Sequence, residues 1–444
     1  MKILWALIWL GMVSGALGQG FSLRDGAFVQ RIPTPVTGYQ PDRWYWLVTT
    51  TSNNSPFAIN FTGSGTRQVE WGDGRTTNHT GTASVTNIYA TTGNKILTIR
   101  EVSGSTTAIA VSALSGNRPR LKQILSPANG MANLRILDSA FTSCSGLTAA
   151  GIPKYALAGL TNVTSLYATW SFCSGVRTFP EVNNLTNVTS LGVTWGTCSQ
   201  GRLFPEVNNL TSVTNLGSTW YGCSAGTNFP AVSNLTRVTS MIQTWMSCSS
   251  NTIFPEVNTL VSNTSLAYTW YRCSAATNFP AVSNMTSVTN LYCSWQFCSN
   301  ATSFPAVATM TNVYDLSATW GYCVNATNFP AVSNLTRVTT LAGTWTGCSN
   351  SIAFPDVGQL TNVSTLQNTW EGCSKMTAAP TIPPLAALSS STRAFYNCWG
   401  ITNALPQLWI TNDYPMAQSL GTHANCFTDC TNASNWAAVP LNWR

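Results

Sequence analysis

From about residue 131 onward, the apolar positions of the chain recur in a fixed cycle. Trp170, Trp195, Trp220, Trp245, Trp270, Trp295, Trp320, Trp345 and Trp370 lie 25 residues apart without an insertion or deletion, and Phe395 keeps the frame one step later. Three residues after each comes a cysteine, the series running Cys173, Cys198, Cys223, Cys248, Cys273 and on to Cys398. Four residues before each Trp stands an aliphatic residue (Leu166, Leu191, Leu216, Met241, Leu266), and a Phe-Pro pair holds the frame from Phe179-Pro180 to Phe354-Pro355. An earlier unit with Phe141 and Cys144 sits 29 residues upstream of Trp170 and Cys173, its four extra residues lying near Gly151-Ile152-Pro153, so that about eleven units result.

Each unit is rich in Thr, Val, Ser, Asn, Gly and Pro, which disfavours a long helix and predicts short strands joined by turns. A 25-residue unit cannot bury its own apolar stripe, so neighbouring units must stack and share a core. With rungs spaced ~4.8 Å apart, as between paired strands, equivalent side chains pile into ladders. Trp170, Trp195, Trp220, Trp245 and Trp270, with Cys173, Cys198, Cys223, Cys248 and Cys273, are the expected interior. The fold class predicted is mainly β: a solenoid of about eleven stacked coils over residues 131–399, preceded by an N-terminal all-β module.

The string from Val188 to Ser199, Val-Thr-Ser-Leu-Gly-Val-Thr-Trp-Gly-Thr-Cys-Ser, resembles the repeat unit of BspA-like leucine-rich surface proteins, with Trp where those repeats usually carry Phe. The resemblance implies a curved β-solenoid of the leucine-rich-repeat type used for attachment or recognition, and it carries over no catalytic residue. Upstream, Trp71-Gly72-Asp73-Gly74 followed by Asn87-Ile88-Tyr89 is similar to polycystic-kidney-disease-type (PKD) immunoglobulin-like domains, with Asn87 in place of the usual His. There the resemblance implies a β-sandwich over 44–104, a spacer or presentation domain in which Gly72-Asp73-Gly74 is a tight turn.

The remaining segments follow from local composition. Met1-Lys2, the apolar stretch Ile3 to Val13 and Ala16-Leu17-Gly18 read as a secretory leader over 1–18. Residues 19–43, with Pro33, Pro35 and Pro41, read as a linker or attachment arm, 105–130 as a connecting segment, and 400–444 as a cap where the 25-residue frame fades. The expected location is secreted or cell-surface. No later stretch approaches the roughly 18 apolar residues of a membrane span, so membrane insertion is not expected.

Composition narrows the function. Only 8% of the 444 residues are charged, against about 25% in ordinary domains. The 21 basic residues form no run that would grip phosphates, which excludes nucleic acid as a partner. The two histidines, His79 and His423, lie far apart, and no CxxC spacing suits zinc, so no metal, cofactor or catalytic centre is expected. Glu181, Glu206 and Glu256 recur at one frame position, but Ala231 and Ala281 alternate with them, as on a solvated face. Cys426 and Cys430 are the disulfide candidates. Sequons at Asn184, Asn209, Asn234, Asn284 and Asn334 share one frame and suit turn chemistry.

On a strand the neighbour of an interior residue points outward. The column preceding the tryptophans, Thr194, Thr219, Thr244, Thr269, Thr319 and Thr344, is therefore predicted to line an outer face, with Tyr221 and Tyr271 just after their tryptophans as varied contact positions. The function expected is non-enzymatic adhesion or recognition of a surface glycan or protein ligand through a rigid repeat face. The alternative is a structural assembly subunit, a coat, sheath or phage fibre component that self-associates; the third is an ice-binding protein using the threonine array.

Overall fold

The computed structural model describes residues 21–24, 27–30, 40–113, 118–128, 130–148, 151–410, 413–414 and 422–444. The expected leader lies outside them, as does most of the expected arm. Strands β1 (Phe21–Arg24) and β2 (Ala27–Gln30) form an antiparallel pair. The described chain is mainly β, with short 3-10 turns and no α-helix among the described residues.

The N-terminal module consists of two antiparallel sheets. One has the order β10-β3-β8-β5-β6, the other β7-β4-β9. Their strands are β3 (Trp44–Thr50), β4 (Ser55–Gly63), β5 (Thr66–Glu70), β6 (Thr76–Thr80), β7 (Ala83–Tyr89), β8 (Gly93–Ser103), β9 (Thr106–Val111) and β10 (Leu121–Ile124). Period-two alternation sends Trp44, Trp46, Phe57, Ile59, Val85, Tyr89, Leu97 and Ile99 into a shared core. Two of these strands, β9 and β10, fall within the segment 105–130 that composition marks as a connection; their pairing with β4 and β3 makes them part of the module.

Residues 71–75 form the expected tight turn. Gly72 has φ +74°, and a Cβ there would meet the Ile96 carbonyl oxygen at 2.5 Å, so only glycine fits. Trp71 N–H donates to the Arg75 carbonyl (3.0 Å), and Asp73 accepts from Arg75 N–H (3.1 Å) and from Asn87 Nδ2 (2.8 Å). The Asp73 carboxylate thus serves its own turn, with Asn87 bonding it from β7.

The repeats lie one on another in parallel register. Isolated bridges join Ser165 to Ser190, Ser190 to Asn215 and Asn215 to Ser240, and the same 25-residue step runs from Ser265 to Ser390. Successive indoles stack with ring centroids 5.4 to 6.1 Å apart and planes within 3 to 14° of parallel. A second file of rings from Phe179 to Phe354 stacks beside them at 5.3 to 6.2 Å. The column thiols are buried, and each donates to the carbonyl of the aromatic residue one repeat back, as Cys198 does to Trp170 (3.0 Å) and Cys248 to Trp220 (3.1 Å). Each of these carbonyls also accepts the backbone N–H of the Cys three residues on, so the thiol is a second donor that ties one repeat to the next.

Both ends of the stack are covered. Val111 N–H donates to the Ala140 carbonyl (2.8 Å), Ala108 bridges to Ile136, and Trp44 and Trp46 meet Phe141 edge-on at 6.0 and 5.7 Å. At the other end Phe427 stacks on Phe395 (5.5 Å) and Cys430 donates to the Phe395 carbonyl (3.0 Å), the contacts of a further repeat. Phe141, the nine tryptophans, Phe395 and Phe427 therefore make twelve rungs. Cys426 and Cys430 are separate free thiols in this rung, which corrects the disulfide expectation. The longer spacing of 32 residues between Phe395 and Phe427 had hidden the frame. Trp443 closes the stack, its carbonyl taking the Phe427 N–H (2.9 Å).

Candidate recognition surface

The backbone around each Trp sets what faces outward. Two residues before and two after it, the chain enters the left-handed region: Val193 and Thr197 have φ of 57° and 60°, Tyr268 and Arg272 57° and 59°. N–H groups then alternate in direction. Val193 and Trp195 donate to Gly217 and Thr219 of the next repeat (2.9 and 3.0 Å), while Thr194, Gly196 and Cys198 donate back three residues within their own.

This geometry removes the outward threonine array. Thr194, Thr219, Thr244, Thr269, Thr319 and Thr344 are each 0% exposed. Thr219 Oγ1 lies 2.9 Å from the Leu191 carbonyl and 2.7 Å from the Leu216 carbonyl, and Thr194, Thr244, Thr319 and Thr344 repeat the pair of contacts. Thr269 Oγ1 reaches the Met241 carbonyl (3.0 Å). The alternation rule that sent them outward holds for extended strands; left-handed residues on either side turn Thr and Trp inward together. These hydroxyls tie one repeat to the next.

The positions that do face out are those three and two before the Trp and one and two after it. Most carry small or polar residues, but three successive repeats carry aromatic ones. Tyr292 meets Tyr268 edge-on (5.0 Å), Tyr268 meets Tyr271 (5.3 Å), Tyr271 meets Phe297 (5.5 Å), and Phe297 stacks on Tyr322 (4.8 Å, 3°). Tyr292 is 36% and Tyr322 43% exposed, and the other three rings are half-buried. The Arg272 guanidinium lies over Tyr271 (5.2 Å) and Phe297 (5.3 Å). Beneath the ridge, burial pushes the Cys293 thiol up to about 11 against the opposing pull of the Tyr292 and Tyr268 hydroxyls.

Of the two tyrosines expected at contact positions, Tyr271 sits at the centre of this ridge. Tyr221 is half-buried and has no aromatic neighbour among the described residues. Sequence reasoning missed Tyr268, Arg272, Tyr292, Phe297 and Tyr322. Their signal was available: in-frame positions two or three residues from a buried column, where aromatic side chains, also present at Tyr167 and Phe172 in an earlier unit, fall on three successive units.

Elsewhere an open groove of about 530 Å³ runs beside Phe179, Phe204 and Leu203, with Lys154, Glu181 and Glu206 on its rim. Lys154 pairs with Glu181 (2.9 Å) on the surface. His79 bonds Thr77 (2.9 Å), and His423 stacks on Trp443 (4.3 Å). No cluster of three or more His, Cys, Asp or Glu suited to a metal ion, and no helix long and apolar enough to cross a membrane, occurs among the described residues. No family model, curated protein or solved structure matches the chain.

Proposed function

We propose that the chain is an exported, non-enzymatic adhesion or recognition protein, with the aromatic ridge as its contact surface. In this reading the stacked repeats are a leucine-rich-repeat-type β-solenoid of the BspA-like kind, and the N-terminal module is a PKD-like immunoglobulin-fold sandwich. The in-register bridges and the single-file aromatic, thiol and hydroxyl columns support the former. Export rests on the leader read over 1–18.

The observation that carries the function is the ridge: five rings and one guanidinium supplied by three successive repeats. Tyr and Arg dominate binding hot spots because they offer large contact area with few rotors. Here the backbone beneath them is fixed to the next repeat, Tyr268 N–H donating to Tyr292 and Arg272 N–H to Gln296, both at 2.9 Å. A surface ordered in advance loses little entropy on binding.

Glycan and cell-surface protein arrays probed with the full chain test this. A Tyr271→Ala, Tyr322→Ala double variant with an unchanged melting curve is expected to lose binding about ten-fold or more. Absence of any bound target for the wild type overturns the proposal. The assembly alternative drew on low charge and on open stack ends, of which the ends are covered by the N-terminal module and Trp443, and the ice-binding alternative drew on a threonine array that lies inside.

A further inference from the structure

The ridge carries one charge, and that charge is unspent. Among the described residues, no carboxylate pairs with Arg272 and no oxygen takes a hydrogen bond from its guanidinium, although it is held against two rings. Some surface arginines are engaged, Arg43 with Glu70, Arg337 with Asn312 and Arg393 with Glu371. Among the described residues Arg177, Arg202 and Arg237 are unpaired but have no ring beneath them, whereas Arg272 lies over two. The Arg272 guanidinium carbon sits 5.2 and 5.3 Å from the centres of the Tyr271 and Phe297 rings, and its N–H groups have no protein partner among the described residues. A planar fork of donors presented this way matches a carboxylate or sulfate.

The acid on the third rung of the ridge, Asp315, two repeats from Arg272, accepts from Ser317 N–H (2.8 Å), so its Oδ1 is tied into its own turn. The chain as a whole holds 21 basic against 14 acidic residues, a balance that favours an anionic ligand.

The rings add the second half of the match. A sugar ring has an apolar C–H face and a polar rim. The ridge offers aromatic surface flanked by Asn290, Gln296 and Ser317, which can bond hydroxyls. A protein partner would need roughly 800 Å² on each side with an apolar centre. A narrow row of half-buried rings on three repeats is better matched to a chain of sugars.

Resting on the recognition function proposed above, we propose that the ligand is an acidic glycan. Its carboxylate or sulfate is taken by Arg272, and neighbouring sugar rings lie along Tyr271, Phe297 and Tyr322.

The experiment compares wild type, Arg272→Gln and Arg272→Lys on an array holding neutral, uronate-bearing and sulfated glycans together with acidic peptides, thermal melting serving as the fold control. The expected result is selective binding of acidic glycans, weakened about ten- to hundred-fold by Arg272→Gln, with Arg272→Lys recovering only part. Binding should also fall as salt rises. The uronate and sulfate sets tell which group carries the charge. Equal binding of neutral glycans, unchanged by Arg272→Gln, overturns the acidic-glycan inference while leaving the recognition function standing. Binding of acidic peptides alone does the same. If no target binds, both fail. Should Arg272→Gln unfold, loss of wild-type selectivity for acidic over neutral glycans is the deciding readout.

Discussion

Raising the pH is the perturbation that the stack is least equipped to survive. Fourteen cysteines are present as buried free thiols, and desolvation pushes the column thiols up, Cys173 and Cys348 to about 12. An unfolded chain releases its thiol protons near the ordinary value of about 8.5. Because the folded pKa lies above the unfolded one, stability is complete below about 8.5 and drains away as pH climbs toward the folded value. Each thiol then costs roughly 1 kcal/mol per pH unit. The ten column cysteines from Cys173 to Cys398 are each 0% exposed. One unit above the ordinary thiol value they together remove on the order of 10 kcal/mol, which is comparable to the whole stability of a typical domain. Cooperative loss of the near-ultraviolet circular dichroism signal is expected between about pH 9 and 10.5. A Cys223→Ser, Cys248→Ser variant, which keeps a donor for Trp195 and Trp220 without titrating there, should unfold at higher pH. Intact tertiary signal at pH 11.5, or alkylation of the native thiols at pH 8, would refute the reasoning.

Thr219→Val keeps the shape of the side chain but removes the hydroxyl between Leu191 and Leu216; both carbonyls retain an N–H partner, so urea titration should show a loss of about 1 kcal/mol. Loss of ligand binding with stability unchanged would instead return this column to the surface. Val193 is a β-branched residue at φ 57°, where Gly343 serves in another repeat; relief of left-handed strain by Val193→Gly should outweigh the added backbone freedom and raise stability by up to about 1 kcal/mol, and a lower melting temperature would argue against that geometry. The nine stacked indoles are 0% exposed while Trp399 is 54% exposed, so most native emission should be blue-shifted and out of reach of iodide, with a minor quenchable fraction, and the bulk should turn red and quenchable only in guanidinium. Quenching of most of the native emission would contradict the buried file.

Much of the repeat architecture was legible because 25-residue periodicity is a statement about neighbours: any residue recurring at every rung must meet its own copy. Trp, Cys and Phe therefore declared their columns. What periodicity could not give was direction. The Thr column recurs as faithfully as the Trp column, and only the left-handed residues at places such as Val193 and Thr197 decide that both point inward. No residue type announces that backbone, since Ala, Val, Ser, Gln, Tyr and Arg all occupy these places alongside Gly. The twelfth rung was lost for another reason: an insertion ahead of Phe427 broke the count while leaving the packing intact.

The same backbone device explains why a recognition surface can arise at one point of a regular stack. Because Thr and Trp turn inward together, the residues two before and two after the Trp are mostly released from the core, Ala168 and Cys293 remaining buried, and share a left-handed φ. The former position runs Ala168, Val193, Ser218, Gln243, Tyr268, Cys293 and Ala318, the latter Phe172, Thr197, Gly222, Ser247, Arg272, Phe297 and Tyr322. Such variation leaves the hydrogen-bond frame untouched, since the N–H of each of these residues bonds the next repeat whatever its side chain. Aromatic side chains can then gather on adjoining rungs at small cost to the fold. Past the ridge the frame supplies Gly347, where a Cβ would come within 2.7 Å of the Tyr322 ring. That glycine lets the last ring lie down over the following repeat. The ridge therefore has a defined end, and its length along the stack is set by where aromatic side chains give way to glycine.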